Sequence, residues 1–71
     1  MKILILGPIK RNRNIIEELS KRHLIDTNDK EISLKYLSEN KIEFIISNGY
    51  APIIKYDVIK VFGKKIVQLD H

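Results

Sequence analysis

Short apolar runs, separated by polar stretches with helical spacing, constrain this chain more than any other feature of its sequence. The first run, Lys2 to Leu6, is continuous rather than alternating, the signature of a strand buried on both faces. Gly7-Pro8 breaks it. A helix is expected from about Asn12, a good cap residue, to about Arg22, with Ile15, Ile16 and Leu19 on one face and Glu17, Glu18 and Lys21 toward water. Leu24 to Thr27 reads as a short, partly polar edge strand, followed by a turn at Asp26, Asn28 and Asp29. Ser33 can cap a short helix with Leu34 and Leu37 inward, and Asn40 is expected to close it in a left-handed conformation. Ile42 to Ile46 is the third strand. Ser47-Asn48-Gly49-Tyr50 forms a loop into a third helix with Pro52 in its first turn. Ile54, Val58, Val61 and Phe62 would form its inner face, with Gly63 as its stop. Lys65 to Leu69 is the fourth strand.

Strands joined by helices run parallel, with right-handed crossovers. The expected fold is therefore a single α/β domain over residues 1 to 71, half of a Rossmann-like doubly wound sheet. It has four parallel strands and three helices, with the first strand central. Ligands in such sheets sit outside the carboxyl ends of the strands. Those ends are Gly7 to Asn12, Asn28 to Asp29, Ser47 to Tyr50, and Gln68 to His71.

At 71 residues the chain buries only about 60% of its unfolded surface, so the core is thin. No cysteine is present, which excludes disulfides and thiolate metal sites and fits a reducing interior. His23 and His71 stand far apart, so no metal-ligand spacing occurs. The N-terminal apolar run is too short for a secretory segment or a membrane span, and the protein is read as cytoplasmic with no membrane partner. The net charge is +4, but acidic side chains are interspersed with basic ones, the pattern of a solvated surface. Without a basic run interleaved with aromatics, nucleic-acid binding is not expected.

The first turn, LGPIKRNRN, lacks the glycines of a dinucleotide fingerprint, and Pro8 removes a backbone donor. The free amides of the helix start, with Arg11 and Arg13, could hold one phosphate; plain capping and solvation account for the same residues. Gly49 suggests a tight turn or a close ligand, and Tyr50, Ile53 and Ile54 either wall an apolar slot or fill the core. Asp26 and Asp29 fit local backbone hydrogen bonding better than a magnesium site. Tyr36 and Tyr56 read as half-buried flanks. At the end of the fourth strand, Gln68 and Asp70 point one way while Leu69 and His71 point the other, so Asp70 lacks a general-base partner on its own face.

In order and in residues, MKILILGPIKRN and ISLKYLSENKIEFIISNGYAPIIKYDVIKVFGKKIVQL resemble the N-terminal domain of the folate-dependent formyltransferase family, in particular its sugar-amine and methionyl-tRNA members. The resemblance covers nearly the whole chain and about the first third of a family member. It implies a Rossmann-like domain that binds 10-formyltetrahydrofolate and passes its formyl group to a primary amine. It assigns Gly49, Tyr50, Ile53 and Ile54 to the donor pocket. The family's catalytic strand carries Asn-x-His; the Asn stabilises the tetrahedral intermediate and the His assists proton transfer. Here Gln68 stands at the Asn position and Asp70 at the His position, while His71 falls one residue late, on the wrong face.

Those departures imply a truncated or decayed domain that is not catalytically competent alone, with weak or absent affinity for the folate or a small nucleotide ligand. The rival reading is a small α/β interaction module, homodimeric or partner-binding through the exposed edge of strand Lys65 to Leu69. A third is a fragment of a longer enzyme.

Overall fold

The computed structural model describes residues 1–69. Its order is β1 (Lys2–Leu6), α1 (Ile9–Leu19), β2 (Leu24–Asn28), α2 (Leu34–Glu39), β3 (Phe44–Ser47), α3 (Tyr56–Phe62), a 3-10 turn (Gly63–Lys65) and β4 (Ile66–Gln68). All three pairings are parallel, and the sheet order is β2-β1-β3-β4. Four parallel strands with three α-helices make the expected α/β, Rossmann-like half-fold, and β1 is one of its two inner strands.

β1 earns that place by composition. Ile3, Leu4, Ile5 and Leu6 are all buried, as an inner parallel strand requires on both faces. Leu4 and Leu6 join Ile32, Leu37, Ile42, Ile45 and Val58 in one core cluster under α2 and α3. Ile3 and Ile5 point to the opposite face. The β1-to-β2 crossover runs the other way along the sheet from the later two, so right-handedness puts α1 on that opposite face, alone. Cover there thins toward β4. Ile5, Ile46 and Val67 are neighbours in register; Ile5 is fully buried, Ile46 is half-buried, and Val67 is 38% exposed.

Several boundaries differ from the sequence reading, each for a local reason. Helix α1 begins at Ile9, straight after Pro8, rather than near Asn12, and ends at Leu19. Proline's fixed φ prepares the helix entry, and Asn12 becomes a buried residue inside it rather than its cap. Ser33 does cap α2, its Oγ accepting from the Tyr36 amide at 3.1 Å. The left-handed residue after α2 is Lys41, with φ of 54°, and not Asn40. Asn40 instead, at φ of −93°, gives the Tyr36 carbonyl a second bond, its side-chain amide donating at 2.8 Å beside its backbone N–H at 3.0 Å. β2 extends through Asn28, β3 runs from Phe44 to Ser47 rather than from Ile42, and β4 is trimmed at both ends.

Helix α3 starts at Tyr56, four residues after Pro52. Pro52 therefore lies in the irregular approach, and Ile54 packs on the core from there. Val58 and Phe62, one turn apart, form the inner face, while Val61 is 65% exposed and Tyr56 is exposed rather than half-buried. Gly63 ends the helix at positive φ, as its position suggested. Among the described residues no helix is long and apolar enough to cross a membrane.

Candidate functional site

Parallel pairing brings the carboxyl ends of the strands onto one rim, and two asparagines join the first pair of loops there. Register sets Leu6 beside Ser47, so the next residues, Gly7 and Asn48, also adjoin. Gly7 adopts φ of 128°, and a side chain there would meet the Asn48 carbonyl and the Asn12 amide. Into that space comes Asn12, wholly buried, its Nδ2 donating to the carbonyls of Pro8 at 3.0 Å and Asn48 at 3.1 Å. Asn48 returns the bond, its Nδ2 donating to Asn12 Oδ1 at 2.8 Å. This amide bracket fixes the β1 loop to the β3 loop. Read as a helix cap, Asn12 was missed by the sequence reasoning; its partner Asn48 directly follows β3, but Asn12 sits in the first turn of α1, and no local pattern pairs the two.

Gly49 and Tyr50 follow. Gly49 has φ of 74°, and the Arg11 side chain lies across it, with Cδ 2.6 Å from where a β-carbon would sit. The left-handed backbone is the main reason for glycine, with the Arg11 side chain as the close neighbour. Tyr50 turns toward the segment after β2, where its hydroxyl donates to the Lys30 carbonyl at 2.6 Å. Burial raises its pKa from the ordinary 10.0, the negative charge of Glu31 adds to the rise, and a backbone bond from Ile32 opposes it.

Ile53, Ile54 and Gln68 come together elsewhere on the rim. They line a cleft of about 480 Å³ with Pro52, Ile59, Gly63 and Ile66, between the approach to α3 and β4. Among the described residues its lining side chains are apolar except for the Gln68 amide. Among the described residues no titratable side chain lines it. Gly49 and Tyr50 are not among its walls, so the expected set Gly49, Tyr50, Ile53, Ile54 divides into a loop pair and a cleft pair. Asp70, expected beside Gln68, lies outside the described residues.

Beyond the ends of β1 and β2, Gly7, Pro8, Ile9, Lys10, Thr27, Asn28, Asp29 and Lys30 line a second hollow of about 590 Å³. Its acidic turn is used locally: Asn28 Oδ1 accepts from the Lys30 amide at 2.8 Å, while Asp26 faces Lys2 at 3.7 Å. Among the described residues no three His, Asp or Glu side chains gather as metal ligands would.

The fold and the cleft at its rim define a class, an α/β domain of formyltransferase-like organisation. The solved structure that carries this statement is the formyltransferase PseJ from Anoxybacillus kamchatkensis in complex with UDP-4,6-dideoxy-4-formamido-L-AltNAc and tetrahydrofolate. The similarity covers 96% of this chain, at 30% sequence identity and a TM-score of 0.74. The chain spans only 35% of that protein's length. No protein-family model matches the sequence, and no curated protein matches it significantly.

Proposed function

We propose that this chain supplies one wall of a folate-binding cleft and does not by itself complete formyl transfer. The observation that carries the reading is the convergence of Ile53, Ile54 and Gln68 on one cleft at the rim where α/β sheets take ligands. The similarity to a tetrahydrofolate-bound formyltransferase supports the ligand class. A volume of about 480 Å³ lies within the usual range for small-molecule sites, and apolar walls with one amide suit a flat heteroaromatic ring with a polar rim. When bound, 10-formyltetrahydrofolate would supply the activated formyl group.

The chain's own residues account for binding and for half of the chemistry. Pro52, Ile53, Ile54 and Ile59 exclude water from the ring faces. Gln68 can donate its amide N–H to a carbonyl oxygen gaining charge as an amine attacks. Accepting the proton released by that amine requires a titratable group, and none of the described residues lining the cleft is one. Losing a positioned acid–base typically removes a factor of about 10² to 10⁴ in rate. On this reading the chain binds the ligand without appreciable turnover.

Amide chemical shifts recorded during titration with tetrahydrofolate test the reading. Shifts are expected at Ile53, Ile54 and Gln68, with none at Glu18 to Arg22 on the far end of the sheet. An unchanged spectrum at millimolar ligand would exclude the cleft as a folate site. Separately, appreciable formylation of an amine by the purified chain would contradict the missing proton acceptor.

A further inference from the structure

From the geometry around Asn48 and Gly49 we infer a site of spontaneous covalent modification: the Asn48 side chain deamidates through the Gly49 backbone nitrogen, Arg11 promotes the step, and Asn12 holds it in check. Asn12, Asn14, Asn28 and Asn40 are followed by Arg13, Ile15, Asp29 and Lys41, and Asn48 alone precedes a glycine. A following residue without a β-carbon leaves its backbone nitrogen open to the asparagine carboxamide. No ligand of the cleft takes part in the step.

Water is the one co-reactant. The Gly49 nitrogen gives up its proton and attacks Asn48 Cγ, forming a C–N bond. The bond from Cγ to Nδ2 breaks, and the side-chain nitrogen leaves as ammonia with that proton. Water then opens the cyclic imide. Cleavage between Cγ and the Gly49 nitrogen gives aspartate; cleavage between the Asn48 backbone carbonyl carbon and that nitrogen gives isoaspartate.

Asn12, wholly buried, opposes the attack from both ends. Its Nδ2 donates at 3.1 Å to the Asn48 carbonyl, which shares a peptide unit with the Gly49 nitrogen. Its Oδ1 accepts at 2.8 Å from Asn48 Nδ2, the nitrogen that must leave. Attack requires Asn48 Cγ and the Gly49 nitrogen to turn toward each other, and one side chain ties both groups. The Asn48 N–H, bonded to the Leu6 carbonyl at 2.9 Å, holds the residue from a third side. Modification therefore waits on a local opening of the bracket. Arg11 acts in the other direction. Its Nε and Cζ lie 3.0 and 3.5 Å from where a Gly49 β-carbon would sit, so the guanidinium rests against Gly49. A cation there eases loss of the Gly49 amide proton and favours the product carboxylate. That product cannot rebuild the bracket, because a carboxylate has no N–H for Asn12 Oδ1. Deamidation thus releases the β3 loop from the β1 loop.

Peptide mapping by mass spectrometry, on chain aged at neutral pH, tests the site. Aspartate and isoaspartate are expected at residue 48 well before any change at Asn12, Asn14, Asn28 or Asn40. Asn12→Ala should speed the reaction several-fold over the parent held in urea that gives the same unfolded fraction, a comparison that removes the effect of global unfolding. Arg11→Gln, matched in the same way, should slow it several-fold. In fully unfolding urea both variants should react at the parent's rate, because residues 11 and 12 then lie far from Asn48. Asn48→Asp, the direct product, should lower the urea midpoint as loss of the bracket requires. Equal rates for Asn12→Ala and the matched parent would overturn the proposal. So would an Arg11→Gln rate equal to the parent's, or products at the other asparagines as early as at residue 48.

Discussion

Asn12 does more at this rim than any other single side chain. It is wholly buried, with its amide committed to two carbonyls and its oxygen to the Asn48 amide. Truncation by Asn12→Ala removes the bonds to the Asn48 carbonyl and side-chain amide, while the Pro8 carbonyl keeps the backbone N–H of residue 12, at a cost of about 1–3 kcal/mol. Urea unfolding should show the loss as a lower midpoint, and Asn12→Asp should not rescue it, since a carboxylate cannot donate to two carbonyls. The two nearby glycines differ in kind. At Gly7 a side chain would strike the Asn48 backbone, which cannot yield; at Gly49 it would strike the flexible end of Arg11. Gly7→Ala is therefore expected to abolish cooperative folding. Gly49→Ala should cost only about 1–2 kcal/mol for the left-handed backbone, less when combined with Arg11→Ala. For Tyr50, the raised pKa means that folding favours the neutral phenol. Its contribution is full below pH 10.0, the ordinary value, and is lost as pH climbs through the higher folded value. Tyr50→Phe should lose about 0.5–1.5 kcal/mol at neutral pH with the Lys30 bond, while showing a shallower alkaline decline than the parent.

At the scale of elements, the helices show where local sequence rules hold and where they yield. Ser33 was legible as a cap because its hydroxyl meets a need three residues away. The helix end beyond it was misread by one position: Asn40 uses its side chain on the Tyr36 carbonyl, and Lys41 takes the left-handed turn instead. A lysine there carries steric strain that glycine would not. Lys41→Gly should stabilise the protein by up to about 1 kcal/mol, after allowance for the greater freedom of glycine in the unfolded chain. Thermal denaturation would register this as a higher midpoint. The start of α3 was misplaced because Pro52 is compatible with a first turn but does not compel one. Tertiary packing of Ile54 and the cleft it lines hold residues 51–55 out of the helix.

For the molecule as a whole, thinness of the core is the governing fact. The cluster under α2 and α3 depends on a few side chains, with Ile45 fully buried between β1 and β4. Ile45→Ala should cost about 2–5 kcal/mol, enough in a domain this small to erase the cooperative thermal transition seen by circular dichroism. The alternation of apolar runs with helical spacing already determined the parallel sheet, its inner β1 and the rim on which Gly49, Ile53, Ile54 and Gln68 lie, because periodicity and crossover handedness are rules a linear chain carries with it. Only the tertiary structure decided that Ile53 and Ile54 share a cleft with Gln68 while Tyr50 turns away to Lys30, and that Asn12 and Asn48 bracket the loops. Those outcomes depend on register and on contacts between residues far apart in sequence, and distances of that kind are set when the sheet assembles rather than by neighbours along the chain.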